Sequence, residues 1–222
     1  MAINAAEEET LEALKKWWDE NGKQLLLLAV VVVGGYSGWL LWQNSQAATA
    51  EAASDLYEEI LTLAVNEPGI DVTEAERSSI LGLSEQLRSD YPDSVYALFG
   101  ALFAAQQSVA SNDLDGAEQS LQWILDNQPD GLFQQTDEGL VLATNLRMGR
   151  VILAKGDPER ALALVNAINP SSFEAGFAEL RGDIYVAMGR IVDARDAYIA
   201  AQQAGSNSDG LRMKLDDLSD SI

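Results

Sequence analysis

The chain is 222 residues long, carries 35 acidic against 14 basic residues for a formal net charge of −21, and contains neither cysteine nor histidine. That composition excludes thiol nucleophiles, thiol redox chemistry, Cys/His zinc centres and histidine general-base triads. It also argues against nucleic acid as a partner, because the phosphates would be repelled by so acidic a surface.

The first element in chain order is a charged leader, residues 1–23. Leu11, Leu14, Trp17 and Trp18 recur at helical spacing on one face, with charges elsewhere, which predicts a short amphipathic helix. Its plain reading is a juxtamembrane anchor at the inner interface; a docking site for a cytoplasmic protein is the alternative.

Next comes an uncharged stretch from Gln24 to Ala50, whose apolar heart is LLLLAVVVVGGYSGWLLW at residues 25–42. As a helix this run is long enough to cross the roughly 30 Å of bilayer hydrocarbon. It predicts one transmembrane signal anchor over residues 24–43, in contact with the lipid bilayer. Lys15, Lys16 and Lys23 precede it and no Lys or Arg follows until Arg77, an asymmetry that keeps the N-terminus cytoplasmic and exports the remainder. Trp17/Trp18 and Trp39/Trp42 sit near its ends, where amphipathic rings favour the headgroup level. A buried core helix fits poorly, since nothing polar interrupts residues 25–35. A cleaved leader could end at Ala48-Thr49-Ala50, but the preceding segment is long and acidic and the apolar run exceeds a usual signal core. Gly34, Gly35 and Gly38 offer small residues for packing against a partner helix.

Residues 44–222 form the third part, read as an exported all-α domain. Apolar residues recur every three or four positions, and Pro68, Pro92, Pro129, Pro158 and Pro170 fall between segments, where helices start and stop. Residues 51–66 and 71–89 predict a divergent first helical pair. A repeat copy spans 98–131, with Ala105 at a close crossing, Ala117 as the small residue of its second helix, and Leu121 and Ile124 following. Two further copies align LRMGRVILAKGDPERALAL at 146–164 with LRGDIYVAMGRIVDARDAY at 180–198. Gly149 matches Gly182, Gly156 matches Gly189 and Ala161 matches Ala194, each pair 33 residues apart, close to the tetratricopeptide period. The first glycine of each copy lets helices cross closely, the second takes a left-handed turn, and the alanine fills the crossing point, with Leu164 or Tyr198 sealing the edge. Asp157-Pro158 suits a helix start, and 211–220 a closing helix. The fold expected is a transmembrane helix followed by a tetratricopeptide-like α-solenoid.

No catalytic, cofactor-binding or metal-binding residue emerges. Asn112-Asp113-Leu114-Asp115-Gly116 lacks the full calcium-loop ligand pattern and reads as a repeat turn. The glycines of GGYSG lie in the anchor, the wrong context for a phosphate cradle. Residues 51–222 hold 29 acidic against 11 basic residues, which favours a basic partner surface or simple solubility. Tyr96, Phe99 and Phe103 share a helix face that either packs between helices or lines the inner, concave groove of the stack. Tyr185 and Tyr198 occupy packing positions of the repeat.

These pieces together resemble the ancillary subunit family of the SecYEG translocon, the YfgM-like proteins. The resemblance lies in WWDENGK at 17–23, the anchor ending GWLLW, YALFGALFAAQ at 96–106, LRMGRV, ALALVNAI, ELRGDIYVAMG, ARDAYIAA and LRMKLDDLS, and it runs over essentially the whole chain. It implies a non-enzymatic, cofactor-free, single-pass protein of the bacterial inner membrane with a periplasmic scaffold domain. The implied partners are the SecYEG translocon, a membrane-anchored periplasmic chaperone of the prolyl-isomerase type, and exported client polypeptides. A second reading is a membrane adaptor whose residues 1–23 restrain a cytoplasmic envelope-stress regulator. The acidic run Glu7–Glu9 and Glu12 departs from the family pattern there.

Overall fold

The computed structural model describes residues 2–65, 71–129 and 137–219. Pro68, the ends of the predicted 51–66 helix and 98–131 repeat, and the last residue of the predicted 211–220 helix lie outside the described residues. The chain divides into two compact units, the first ending at Ala52 and the second beginning at Ala53.

The first unit is helical through all its described residues, as part of α1, Ala2–Ala64. Leu25, Val30, Val33 and Leu41 are exposed, as are Trp17, Trp18, Trp39 and Trp42. The helix is long and apolar enough to cross a membrane, and no part of its most apolar window is buried by the rest of the chain. The short leader helix and the separate 51–66 helix expected from the sequence are both parts of α1. At the junction before the predicted 51–66 helix the physical reason is composition: residues 43–52 (QNSQAATAEA) contain no Pro or Gly and are rich in good helix formers.

The second unit is all-α. After the end of α1 come α2 (Glu74–Asp90), α3 (Val95–Ala110), α4 (Leu114–Asp126), α5 (Glu138–Ala154) and α6 (Pro158–Ala167). A 3₁₀ turn, Ser171–Phe173, leads into α7 (Glu174–Ala187), followed by α8 (Ile191–Gln203) and α9 (Asp209–Ser219). Each helix packs on the next from α2 to α9, and α5 also touches α7, the neighbour relation of stacked helical pairs.

Starts and stops follow local chemistry. Thr73 and Glu76 form a reciprocal capping box on α2, the Thr73 amide donating to Glu76 Oε2 at 2.8 Å. The carboxylates of Asp113, Asp137 and Asp157 accept from the amides of Gly116, Leu140 and Arg160 at 3.0, 3.0 and 3.1 Å, capping α4, α5 and α6. Pro158 occupies the first turn of α6, where no hydrogen bond is lost. Three hairpin turns then repeat one geometry. Asn112, Gly156 and Gly189 take left-handed φ values of 61°, 82° and 72°. In each turn the next residue's amide reaches back to the preceding helix: Asp113 to Ser108 O, Asp157 to Ile152 O, and Arg190 to Tyr185 O. The calcium-like stretch 112–116 is therefore a repeat turn, with Asp113 used as a cap.

Close crossings explain the small residues. A Cβ on Gly149 would lie 2.7 Å from Leu180 Cδ2, and one on Gly182 would enter the Tyr198 ring. Ala105, Ala117, Ala161 and Ala194 are all buried. Beside Leu180, both Val165, 1% exposed, and the half-buried Leu164 reach Gly149, a Cβ there lying 3.6 Å from Val165 Cγ2 and 3.9 Å from Leu164 Cδ2. The 33-residue register maps Tyr198 onto Val165. Tyr198 lies over Gly182, and its hydroxyl donates to Asp183 Oδ1 at 2.7 Å; burial, and then that carboxylate, push the phenol well above its ordinary pKa. Lys214 of α9 donates to Glu179 Oε1 at 2.9 Å and Asp183 Oδ2 at 3.0 Å, closing the end of the stack. Burial lowers the lysine pKa, but bonds to Asp183 and Glu179 outweigh it and hold the group above its ordinary value.

Successive pairs are also tied by charge. Glu118 of α4 accepts from Arg160 of α6 and, at 2.6 Å, from Lys155, which also donates to Asp115 at 2.6 Å. The hydrogen bond from Arg160, then that from Lys155, hold the Glu118 carboxyl below its ordinary value of 4.5 despite partial burial.

Three consequences are measurable by urea unfolding of the chain in mild detergent. Gly182→Val should lose about 1–3 kcal/mol through overpacking. Gly82→Ala, at an exposed helical position with nothing near the added methyl, should gain about 0.5–1 kcal/mol. Glu118→Gln should cost about 1 kcal/mol at neutral pH. Because the folded carboxyl is held below 4.5, its contribution is complete above that value and lost as pH falls through the depressed one, so wild type and variant should converge under strongly acidic conditions.

Candidate functional site

Among the described residues no cluster of three or more carboxylates is placed to hold a metal ion. A feature able to receive an apolar ligand is a groove between the first helices of two successive repeats. α3 supplies Phe99, Leu102, Phe103, Gln106 and Val109, α5 supplies Arg147, Arg150, Val151 and Ala154, and α4 closes the base with Leu114 and Leu121. Its cavity volume is about 670 Å³.

The groove's form follows from helix periodicity. Ala105, Leu121 and Val151 are buried and form the floor, while Phe99, Leu102, Phe103 and Leu114 are half-buried walls. Gln106, Val109, Arg147 and Arg150 are exposed along its edges. Ala105 lines the floor at the position where Gly149 and Gly182 stand in the later repeats.

The three aromatics singled out from the sequence are brought together, and they divide. All three surround Tyr57, whose ring centroid lies 5.5 Å from Tyr96, 6.1 Å from Phe99 and 6.2 Å from Phe103. Burial, and then the neighbouring Tyr96, push the Tyr57 phenol above its ordinary pKa. Tyr96 packs only on that side, whereas Phe99 and Phe103 also line the groove. Inter-helix packing and groove lining, posed as alternatives by the sequence, are thus the two sides of the same phenylalanines. Tyr185 sits beneath the Arg190 guanidinium, 4.4 Å from its ring centroid, and Tyr198 is buried, so neither is offered to a ligand.

Sequence reasoning missed Tyr57, Arg147 and Arg150. The spacing of Ala53, Tyr57 and Ile60 marks an apolar face that could have pointed to Tyr57. The arginines had no such signal, since the same residue type elsewhere in this chain serves in surface ion pairs.

Comparison with known proteins agrees with this architecture. The family model described as a tetratricopeptide repeat-like domain matches residues 15–220. The chain is 33% identical over 220 residues to a protein of Haemophilus influenzae named ancillary SecYEG translocon subunit, covering 98% of this chain and 100% of that one. Proteins of the same name from Neisseria gonorrhoeae and Escherichia coli K12 are 31% and 30% identical, each aligned over its full length and over 98% and 99% of this chain.

Proposed function

We propose, because the chain belongs to the family of ancillary SecYEG translocon subunits, that it is itself a non-enzymatic ancillary subunit of that translocon, working in the bacterial inner membrane. The observation that carries this reading is similarity along the whole length, through both the exposed apolar helix and the repeat domain. Residues 1–23 are cytoplasmic, 24–43 span the bilayer once and 44–222 lie in the periplasm.

Physical chemistry supports that topology. Leaving the apolar run in water would expose contiguous hydrocarbon far beyond what a soluble surface tolerates. Lipid removes it from water, and the tryptophans at either end suit the interface. The lysines before the run hold the leader on the cytoplasmic side. On the outer side, the excess of 29 acidic over 11 basic residues in 51–222 is repelled by anionic headgroups, which keeps the repeat surface available to proteins. Those proteins are a membrane-anchored periplasmic chaperone of the prolyl-isomerase type and, through it, newly exported polypeptides. A stack of short helices with an apolar groove and no catalytic constellation among its described residues suits holding such proteins near the exit of the channel.

Isolation of the tagged chain from solubilised inner membranes tests the reading. Translocon subunits should accompany the full chain and a variant lacking residues 1–14, which keeps Lys15, Lys16 and Lys23. They should fall at least about tenfold when residues 24–43 are replaced by a cleavable leader that frees the outer domain, because tethering supplies millimolar effective concentration. Absence of translocon subunits from the full-chain isolate would overturn the assignment; their loss on removing residues 1–14 alone would move the contact to the cytoplasmic side.

A further inference from the structure

We propose that the groove between α3 and α5 holds an apolar segment of a resident partner protein that presents a carboxylate to Arg147 and Arg150. This rests on the scaffold reading and names the chemistry that one of its protein contacts requires.

The groove is apolar where it is deep and cationic at one edge. Phe99, Leu102 and Phe103 offer half-buried hydrocarbon that a partner's side chains would cover. Arg147 and Arg150 are three residues apart on α5, so they share one face of the helix beside that hydrocarbon.

Among the described residues their charge is unmatched by any carboxylate. Most other cationic side chains of the second unit are matched: Arg77, Arg88, Lys155, Arg160, Arg190, Arg212 and Lys214 each form an ion pair with Asp or Glu. Arg147 donates only to the Ala143 carbonyl of its own helix, at 3.3 Å, and neither it nor Arg150 has an ion pair among the described residues. In a domain where carboxylates greatly outnumber cations, two neighbouring guanidiniums lack one beside the apolar groove.

Charge complementarity selects the occupant. A guanidinium binds a carboxylate through paired hydrogen bonds, and such bonds strengthen when an apolar partner excludes water around them. The net charge of the whole domain favours cationic partners at long range, whereas the groove favours an anion at contact. A segment with one carboxylate among apolar residues meets the second condition at little cost in the first, since it brings little negative charge to be repelled. The fixed position of the arginine pair points to a resident partner with a carboxylate at a fixed place. A varied stream of exported chains would be held by the hydrocarbon alone.

The test uses the full chain in nanodiscs and fluorescent twelve-residue peptides of leucine and alanine with a central aspartate, asparagine or lysine, read by anisotropy against empty nanodiscs. The aspartate peptide should bind about tenfold more tightly than the asparagine one. Arg147→Gln combined with Arg150→Gln should abolish that preference while leaving the asparagine peptide unchanged, and Arg147→Glu with Arg150→Glu should transfer it to lysine. Val109→Asn should weaken all three. Equal affinities for aspartate and asparagine, or a preference that survives the glutamine pair, would overturn the proposal. Translocon co-isolation of the same variants separates the two levels: a failed peptide preference with the translocon retained removes only the groove assignment, while a wild-type chain that isolates no translocon removes the scaffold reading.

Discussion

The second unit depends on how closely its helices can approach. Leu180 rests on the bare backbone of Gly149 and the Tyr198 ring on that of Gly182, and in both places a side chain larger than hydrogen would collide. Ala161 and Ala194 are buried at the matching positions of the following helices. A protein interior is close-packed, so such contacts cannot be loosened by degrees; a larger residue pushes a whole helix outwards. The left-handed turns at Asn112, Gly156 and Gly189 serve the same end, reversing the chain in few residues so that each helix returns against its predecessor. The groove between α3 and α5 is built from the same stacking, with Ala105 in its floor at the position where the later repeats have glycine.

Two solvents meet in one chain. The exposed apolar helix of the first unit suits hydrocarbon, while the repeat unit carries a charge that anionic lipid repels. These preferences agree with a protein held at a membrane by one segment and available to other proteins through the rest. Within the repeat unit, carboxylates do structural work: Asp113, Asp137 and Asp157 cap helices, Glu118 joins neighbouring pairs, and Asp183 binds both the Tyr198 hydroxyl and Lys214. Part of the acidic excess is thus explained by local structure, without any anion-repelling function.

Features that repeat were legible in the sequence. The 33-residue register of Gly149/Gly182 and Gly156/Gly189 pointed to close crossings and left-handed turns, and the glycines stand at both. Asn112 was read within a repeat turn as well, and there asparagine reaches the left-handed region by tolerating it rather than by lacking a side chain. The unbroken run of α1 through residues 43–52 was not anticipated, since a change from apolar to polar composition looks like a boundary although no backbone breaker accompanies it. The arginines of the groove were illegible for a different reason: whether a surface charge is matched depends on carboxylates from other helices, which no local pattern records.

Site-specific photocrosslinking in native membranes tests the central claim most directly, with one set of probes at Val32 and Leu40 and another at Phe103 and Val109. A translocon-associated scaffold requires adducts with translocon subunits from the apolar helix and, from the groove, adducts with a periplasmic protein. If neither set yields a translocon adduct while both probes are incorporated and the chain is membrane-bound, the account is contradicted.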